Sequence, residues 1–420
     1  MNRDRWQEIW NVLARNKLRT LLTAFGVFWG IFMLVIMLGS GRGLKNGAEA
    51  SFGGSARNSV FMWAQSTSKA YQGFNARRSL DLKLSDATAI KQQIPEVQYI
   101  SPRCQAGGYR GSDNVTRGVK TGAFNIYGDT PEYAHIEKFN IDKGRYLNIK
   151  DLEEYRKVCF IGKEVYNALY EAGEEPLGTY VKAQGVNYKV IGVFSSASNN
   201  AETAERQEKA MIIPITTFQR TYNWGNKIGW LSFTSVSSVK ASVVEQKVEE
   251  LLKRRHQVHP EDERAFGGYN LQKEFERITS LITGIQWLSL IVGTLTLLAG
   301  AVGVSNIMVV TVRERTREFG IRRALGAPPS TIVGMVISEA VVLTLFAGMT
   351  GIILGVWSLE GIAQFMNQAE MQGAFFRNPG VTLQSILTSL GLLLMAGLLA
   401  GLIPARRAIQ IKPVDALRFE

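Results

Sequence analysis

The apolar residues of this chain gather into four long runs, at residues 21–38, 278–312, 331–359 and 383–403, and the charged residues lie between them. The second run has no charged residue in 35 positions, and the third has a single acid, Glu339. At 1.5 Å per helical residue, runs of this length match a bilayer core of about 30 Å. A helix on a soluble core keeps a polar face, and these do not. The pattern therefore predicts transmembrane helices at 21–40, 271–312, 331–359 and 383–404. It leaves a large segment at 41–270, a short loop at 313–330, a second loop at 360–382 and a tail at 405–420. Before the first span, Trp6, Ile9, Trp10 and Leu13 recur at i, i+3, i+4 and i+7, predicting an amphipathic interfacial helix within 1–20.

Phe275, Ile278, Ile282 and Ile285 extend the second run upstream in steps of three and four, so its helix is expected to project beyond the bilayer as a stalk, with Thr279 as a place where it can break. The segment 41–270 mixes both periods. Strands are expected near 58–63, 97–100, 119–126, 157–161, 179–183, 188–194, 211–215 and 228–234. Helices are expected at 85–93, with Ser85 as cap, at 163–172, and at 241–255 with Val244, Val248, Leu251 and Leu252 on one face. The polar stretch 195–207 reads as a mobile loop. Strand and helix pieces flank a differently patterned middle, which predicts an inserted β-rich lobe at about 121–225. The fold class is thus a membrane protein of α+β type: four transmembrane helices with a mixed α/β domain between the first and second.

Charge sets the orientation. Arg3, Arg5, Arg15, Lys17 and Arg19 precede the first span, five arginines occupy the loop 313–330, and Arg406, Arg407, Lys412 and Arg418 follow the fourth. By the positive-inside rule both termini and that loop are cytoplasmic, and residues 41–277 lie outside. The outer stretch carries 33 basic and 27 acidic residues, a mild excess of six, so the net charge of +12 does not call for nucleic acid. No A-x-A-like site follows the first span, which reads as a retained anchor. Cys104 and Cys159 both fall outside, where a disulfide is permitted; the apolar setting Val158-Cys159-Phe160-Ile161 favours a buried free thiol.

Candidate chemistry is sparse. No G-x-x-x-x-G-K-[ST] phosphate loop is present. His256 and His259 lack a third metal ligand nearby. The acidic run 260–263 reads as a solvated turn. Glu339 is different, because an ionisable group inside a span is costly unless it faces the bundle and finds a partner. Ser305 and Asn306 of the second span are its expected partners in a polar clasp; a proton or substrate relay is the alternative reading. Small residues at fourfold spacing, Gly26 and Gly30, Ala347, Gly351 and Gly355, and Gly397 and Gly401, mark where spans approach closely.

The strongest pattern is the loop Glu314-Arg315-Thr316-Arg317-Glu318-Phe319-Gly320-Ile321-Arg322-Arg323-Ala324-Leu325-Gly326. Glu318 and Arg322 can pair at i, i+4. Phe319 and Leu325 offer apolar anchors, Gly326 can stop a helix, Pro328 and Pro329 enforce a turn, and Ser330 can cap the third span. A passive connector needs none of this, so the loop reads as a helical docking knuckle.

That loop resembles the cytoplasmic loop of ABC transporter permeases of the MacB/FtsX type. Pro404-Ala405-Arg406-Arg407-Ala408 with Pro413-Val414-Asp415-Ala416-Leu417-Arg418 is similar to the family's C-terminal signature. Residues 15–23, Gly144-Arg145-Tyr146 and residues 158–162 fit as well. The resemblance implies a dimer, homodimeric or with a close paralogue, and a porter-like βαβ outer domain with an inserted lobe. It also implies a cytoplasmic ATPase gripping the knuckle at Glu314, Arg315, Arg317, Glu318, Phe319, Gly320, Ile321, Arg322, Arg323, Leu325 and Gly326. ATP and magnesium would be bound by that separate ATPase and no cofactor by this chain. Export or extrusion with a periplasmic adaptor and an outer-membrane exit duct is the first expectation. Lipoprotein release and a signal relay to a cell-wall hydrolase or sensor are the alternatives.

Overall fold

The computed structural model describes residues 17–51, 54–106, 113–198, 200–368 and 376–410. The expected interfacial helix at Trp6 to Leu13 and the tail motif at 413–418 lie outside the described residues. The chain divides into two compact units, Ala48–Ile278 and Met1–Gly47 with Thr279–Glu420.

In chain order, α1 (Lys17–Ser51) is followed by β1 (Ser59–Ala64), β2 (Leu82–Lys83), α2 (Leu84–Gln93) and β3 (Val97–Gln105). Next come β4 (Asp113–Arg117), β5 (Lys120–Asp129), α3 (Tyr133–Ile136), β6 (Phe139–Gly144), α4 (Ile149–Glu153), β7 (Val158–Gly162) and α5 (Lys163–Leu169). Then come β8 (Tyr180–Ala183), β9 (Val186–Ser196), α6 (Ala201–Glu208), β10 (Ala210–Pro214) and α7 (Ile215–Thr221). β11 (Lys227–Ile228), β12 (Trp230–Ser235), α8 (Ala241–Arg255) and β13 (Phe266–Asn270) complete the unit between the spans. The membrane unit then has α9 (Leu271–Glu314), α10 (Thr316–Ala324), α11 (Pro329–Gln368) and α12 (Leu383–Gln410).

Two topologies are nested in the middle unit. Strands β13, β1, β12 and β3 lie side by side, all antiparallel, and are linked as β1-α2-β3 and β12-α8-β13. This is a split βαβ pair with everything from β4 to β11 inserted between its halves. In the insert, β5 pairs with β4, β4 with β8, β8 with β9, β9 with β7, β7 with β10, and β10 back with β5. The six strands close on themselves, leaving no free edge among them. The last residues of β3 pair with β5, Cys104 opposite Gly128, so one sheet runs through both lobes.

The local causes are ordinary. In β8, Val181 and Ala183 point inward while Tyr180 and Lys182 point out, the period-two signature of a half-buried strand. Helix α8 buries Val244, Val248, Leu251 and Leu252. Helix α2 is capped by Asp86, whose carboxylate accepts from the Lys83 amide at 2.9 Å, rather than by Ser85.

Several expectations change. The stretch 195–207 is not a loop: β9 runs on to Ser196, and Asn200 caps α6 by accepting from the Thr203 amide at 3.1 Å. The acidic run at 260–263 is not simply solvated. Asp262 is fully buried and accepts from Ser68 N at 2.6 Å, Ser68 Oγ at 2.7 Å and Lys69 N at 3.0 Å, pinning the distant segment at 66–78. Strands β4 and β13 were not expected, and the inserted strands begin at Asp113, ahead of residue 121. Cys104 and Cys159 are buried and unbonded. His256 Nε2 lies 2.8 Å from Asp86 Oδ2, and Arg255 Nε donates to Asp86 Oδ1 at 2.8 Å.

Among the described residues, four helices are long and apolar enough to cross a bilayer: Ala24–Ala50 of α1, α9, Pro329–Met366 of α11, and α12. Helix α9 is continuous over 44 residues, unbroken at Thr279, about 66 Å at 1.5 Å per residue. The small residues lie where helices nearly touch. A methyl group on Gly30 would come within 3.1 Å of the Leu297 nitrogen, and one on Gly26 within 3.4 Å of Gly300. One on Gly351 would lie 2.7 Å from the Phe28 carbonyl, and one on Gly355 2.9 Å from Val35. Gly397 and Gly401 face Val341 and Ile337 at 3.3 and 3.1 Å, and Ala347 is buried in the same core. Helices α1 and α9, α1 and α11, and α11 and α12 therefore meet backbone to backbone.

Candidate functional site

The loop between the second and third spans folds as α10, a separate helix set off from α9 by a turn at Arg315. Its end is a Schellman motif: the Ala327 amide donates to the Arg322 carbonyl at 3.0 Å and the Gly326 amide to Arg323 at 3.1 Å. Gly326 has a φ of +92°, which favours glycine. Helix α11 starts at Pro329, whose fixed φ suits a first helical position, so the start does not wait for Ser330 as a cap.

A chain of alternating charges holds α10. Arg322 Nη2 lies 2.8 Å from Glu318 Oε1. Arg315 binds the same carboxylate with two nitrogens, Nε at 2.7 Å and Nη2 at 2.8 Å. Its remaining nitrogen, Nη1, donates to Glu339 Oε1 at 2.6 Å. The hydrogen bond from Arg315 holds the Glu318 carboxyl below its ordinary range. Burial works against the Arg315 charge, but Glu318 and Glu339 more than offset it and raise its pKa.

Glu339 has a partner from outside the spans. Glu339, 8% exposed, is met by Arg315 from the loop, whereas Asn306 lies on an exposed face of α9. Ser305 is buried in α9. The role of Phe319 is corrected. It is 1% exposed and belongs to the helical core, with Arg315 over its ring at 5.3 Å, so it anchors α10 inward and cannot serve as a docking residue. Gly320 is also buried. The outward face carries Arg313, Glu314, Arg317, Ile321 and Leu325, the last two 42% and 83% exposed. Arg323 donates to the Ile409 carbonyl of α12 at 2.7 Å. The helix is braced from inside and presents an apolar-and-basic stripe outside.

A second charged cluster, in the middle unit, is one that sequence reasoning missed. Arg103 on β3 lies between the rings of Tyr127 and Tyr133, 3.9 and 4.0 Å from their centres. Its Nε is 2.7 Å from Asp129 Oδ1, and its Nη1 donates to the Tyr133 hydroxyl at 2.5 Å and lies 3.7 Å from Glu137 Oε2. The Asp129 pair is an ion contact rather than an aligned hydrogen bond, since both Asp129 oxygens lack a directed donor. Tyr133 and Gln207 both donate to Glu137. Burial pushes the Asp129 carboxyl up to about 6 against the pull of Arg103. The one available signal was a lone arginine in a mostly buried strand.

Neither cluster assembles a nucleophile with a base, and among the described residues no three metal-ligating side chains converge.

Comparison with known proteins agrees. The family model described as MacB-like periplasmic core domain matches residues 20–254, and that described as FtsX-like permease C-terminal matches 290–413. The chain is 27% identical over 418 residues to the pyoverdine export ATP-binding/permease protein PvdT of Pseudomonas entomophila, covering 99% of this chain and 59% of that protein. It is 26% identical over 410 residues to the macrolide export ATP-binding/permease protein MacB of Bdellovibrio bacteriovorus, covering 97% and 60%. The chain thus spans about three fifths of the length of these curated relatives. The solved periplasmic region of MacB from Actinobacillus actinomycetemcomitans shares 24% identity and covers 54% of this chain and 95% of its own, with a TM-score of 0.43. The chain belongs to the ABC transporter permeases of the MacB/FtsX type, multi-pass membrane proteins with a MacB-like extracytoplasmic domain between the first two spans and an FtsX-like permease unit behind it.

Proposed function

We propose that this chain is the moving permease part of an ATP-driven export system, in which an ABC ATPase pushes on α10 and the outer domain responds. The observation that carries this reading is the outward face of α10. A helix cross-braced to α11 and α12 presents Arg317, Ile321 and Leu325 to solvent, an apolar stripe ringed by charge. Such a stripe is costly unless a partner covers it. The hydrolysis of ATP is supplied outside these 420 residues, which hold no phosphate loop. The basic flanks put α10 and both ends of the chain on the cytoplasmic side. Helix α9, unbroken over 44 residues, is the lever that relays the push to the outer domain.

A second copy of the chain, or a close paralogue, is expected along α9. Leu281, Ile285, Leu288, Val292, Leu295 and Val302 are exposed in heptad spacing on that helix. The named activities of the relatives, export of pyoverdine and of macrolides, favour export of a substrate.

The test is co-purification from native membranes. Leu325→Asp, alone or with Ile321→Asp, is expected to abolish recovery of an ABC ATPase while the outer domain keeps its resistance to protease. Unchanged recovery and unchanged stimulation of ATP hydrolysis would sink the reading.

A further inference from the structure

We infer that the Arg315–Glu339 pair is the joint through which load on α10 enters the third membrane helix, making both side chains positioning residues of the drive rather than parts of the docking face. The inference rests on the function proposed above and adds to it a route for the force.

Three observations carry it. First, capping or bracing α10 alone needs only Glu318. Arg315 already holds that carboxylate with two nitrogens at i, i+3. The third nitrogen reaches 24 residues away to Glu339, nearly three turns into α11. Second, both partners are withdrawn from water, with side-chain exposures of 11% and 9%. A pair so placed is a weak source of stability but a strong fixer of registry, because separating its members strands two charges in a medium that cannot solvate them. A displacement of α10 must therefore take the neighbouring turns of α11 with it. Third, other connections of α10 end on neutral groups: Arg322 Nη1 donates to the Met335 thioether of α11 at 2.8 Å. The backbone link to α11 passes through Gly326, with no atom within 4 Å of where its side chain would be, and the tie to α12 ends on a neutral carbonyl. The alternating series Arg322, Glu318, Arg315 and Glu339 thus spans the docking helix and a membrane helix in one line of charge. Phe319 supplies the packing that holds α10 down, which leaves the ion pair free to act as the registry element.

The joint is tested with the full chain in native membranes, together with whatever ABC ATPase co-purifies with it. Hydrogen exchange across Ala48–Ile278 is followed with and without ATP and vanadate. Glu339→Gln keeps the shape and removes the charge. It is expected to recover as much ATPase as the wild type while the nucleotide-dependent exchange response falls about tenfold or more. Arg315→Lys retains the charge and a single bond, and is expected to stay within about threefold of the wild-type response. A Glu339→Gln response equal to wild type overturns the joint. So does a loss of the ATPase itself in Glu339→Gln, because the pair would then only shape the docking face. A wild type that binds no ATPase, or shows no nucleotide response, takes down the proposed function and the joint together.

Discussion

The Arg103 cluster of the middle unit and the Arg315 cluster of the membrane unit each set one buried guanidinium between two carboxylates, and there the likeness stops. Around Arg103 every neighbour belongs to a continuous sheet or to the elements packed on it: Asp129 and Tyr127 on β5, Trp230 on β12, and Tyr133 and Glu137 in or beside α3. Two aromatic faces sandwich the cation and two further donors seal Glu137. Around Arg315 the neighbours are separate helices joined by turns, and the charge is handed on to Arg322 instead of being enclosed. One cluster welds the two lobes of a domain. The other links separate helices across a turn. The same chemistry gives rigidity where the backbone is continuous, and registry where it is not.

The largest expected effect breaks the weld. Arg103→Met leaves Asp129 and Glu137 buried without their cation, and the middle unit is expected to lose about 3–5 kcal/mol. Protease sensitivity over Ala48–Ile278 in the purified full chain would show it; a wild-type profile would mean that the aromatic packing alone holds the lobes.

Acid separates two other buried carboxylates from Asp129. Burial raises the pKa of Asp86, but His256, Arg255 and the Lys83 amide together bring it down to about 2. Burial likewise works against Asp262, and Ser68, Lys69 and Arg264 bring it to about 2. Both lie below the unfolded value of about 3.9, so each contributes stability above that pH and loses it as pH falls toward 2, at about 2 kcal/mol apiece. Asp129 runs the other way. Its folded pKa of about 6 lies above the unfolded one, so its contribution is full below pH about 4 and is lost as pH rises through 6. Unfolding of the middle unit between pH 3 and 7 should therefore show an acid limb that Asp262→Asn flattens and a neutral limb that Asp129→Asn flattens. A single limb would refute one of the two assignments.

The smallest effect concerns a cap. Asn200→Ala is expected to fray α6 at a cost of about 1 kcal/mol and, because α6 supplies Gln207 to Glu137, to raise hydrogen exchange next to the Arg103 cluster. Exchange confined to residues 200–204 would show that the cluster does not depend on α6.

These residues also show what could be read from the chain. Four spans were legible because lipid demands unbroken apolar runs, and α8 was legible because its buried face repeats at helical spacing. Helix α10 was legible because Gly326 and the i, i+4 pair are local signals. Its inward and outward faces were not. Phe319 and Leu325 are both apolar, and only the packing against α11 and α12 decides which is hidden. The partner of Glu339 was sought at equal depth in the second span, but it came from outside the span because an arginine side chain is long enough to reach in. Strand β13 escaped because Gly267 and Gly268 lack the side chains that reveal a strand; β1, its partner, supplies the order. Barrel closure is set by pairing over long sequence separations, about which local pattern is silent.

The two unbonded cysteines have a consequence for the outer domain. Burial pushes the Cys104 thiol up to about 12, and Cys159 is raised further still for the same reason. At neutral pH the reactive thiolate of Cys104 is then about one part in 10⁵. Once folded, such a domain would offer a disulfide catalyst in an oxidising compartment no reactive thiol at these two positions, and both should stay reduced there.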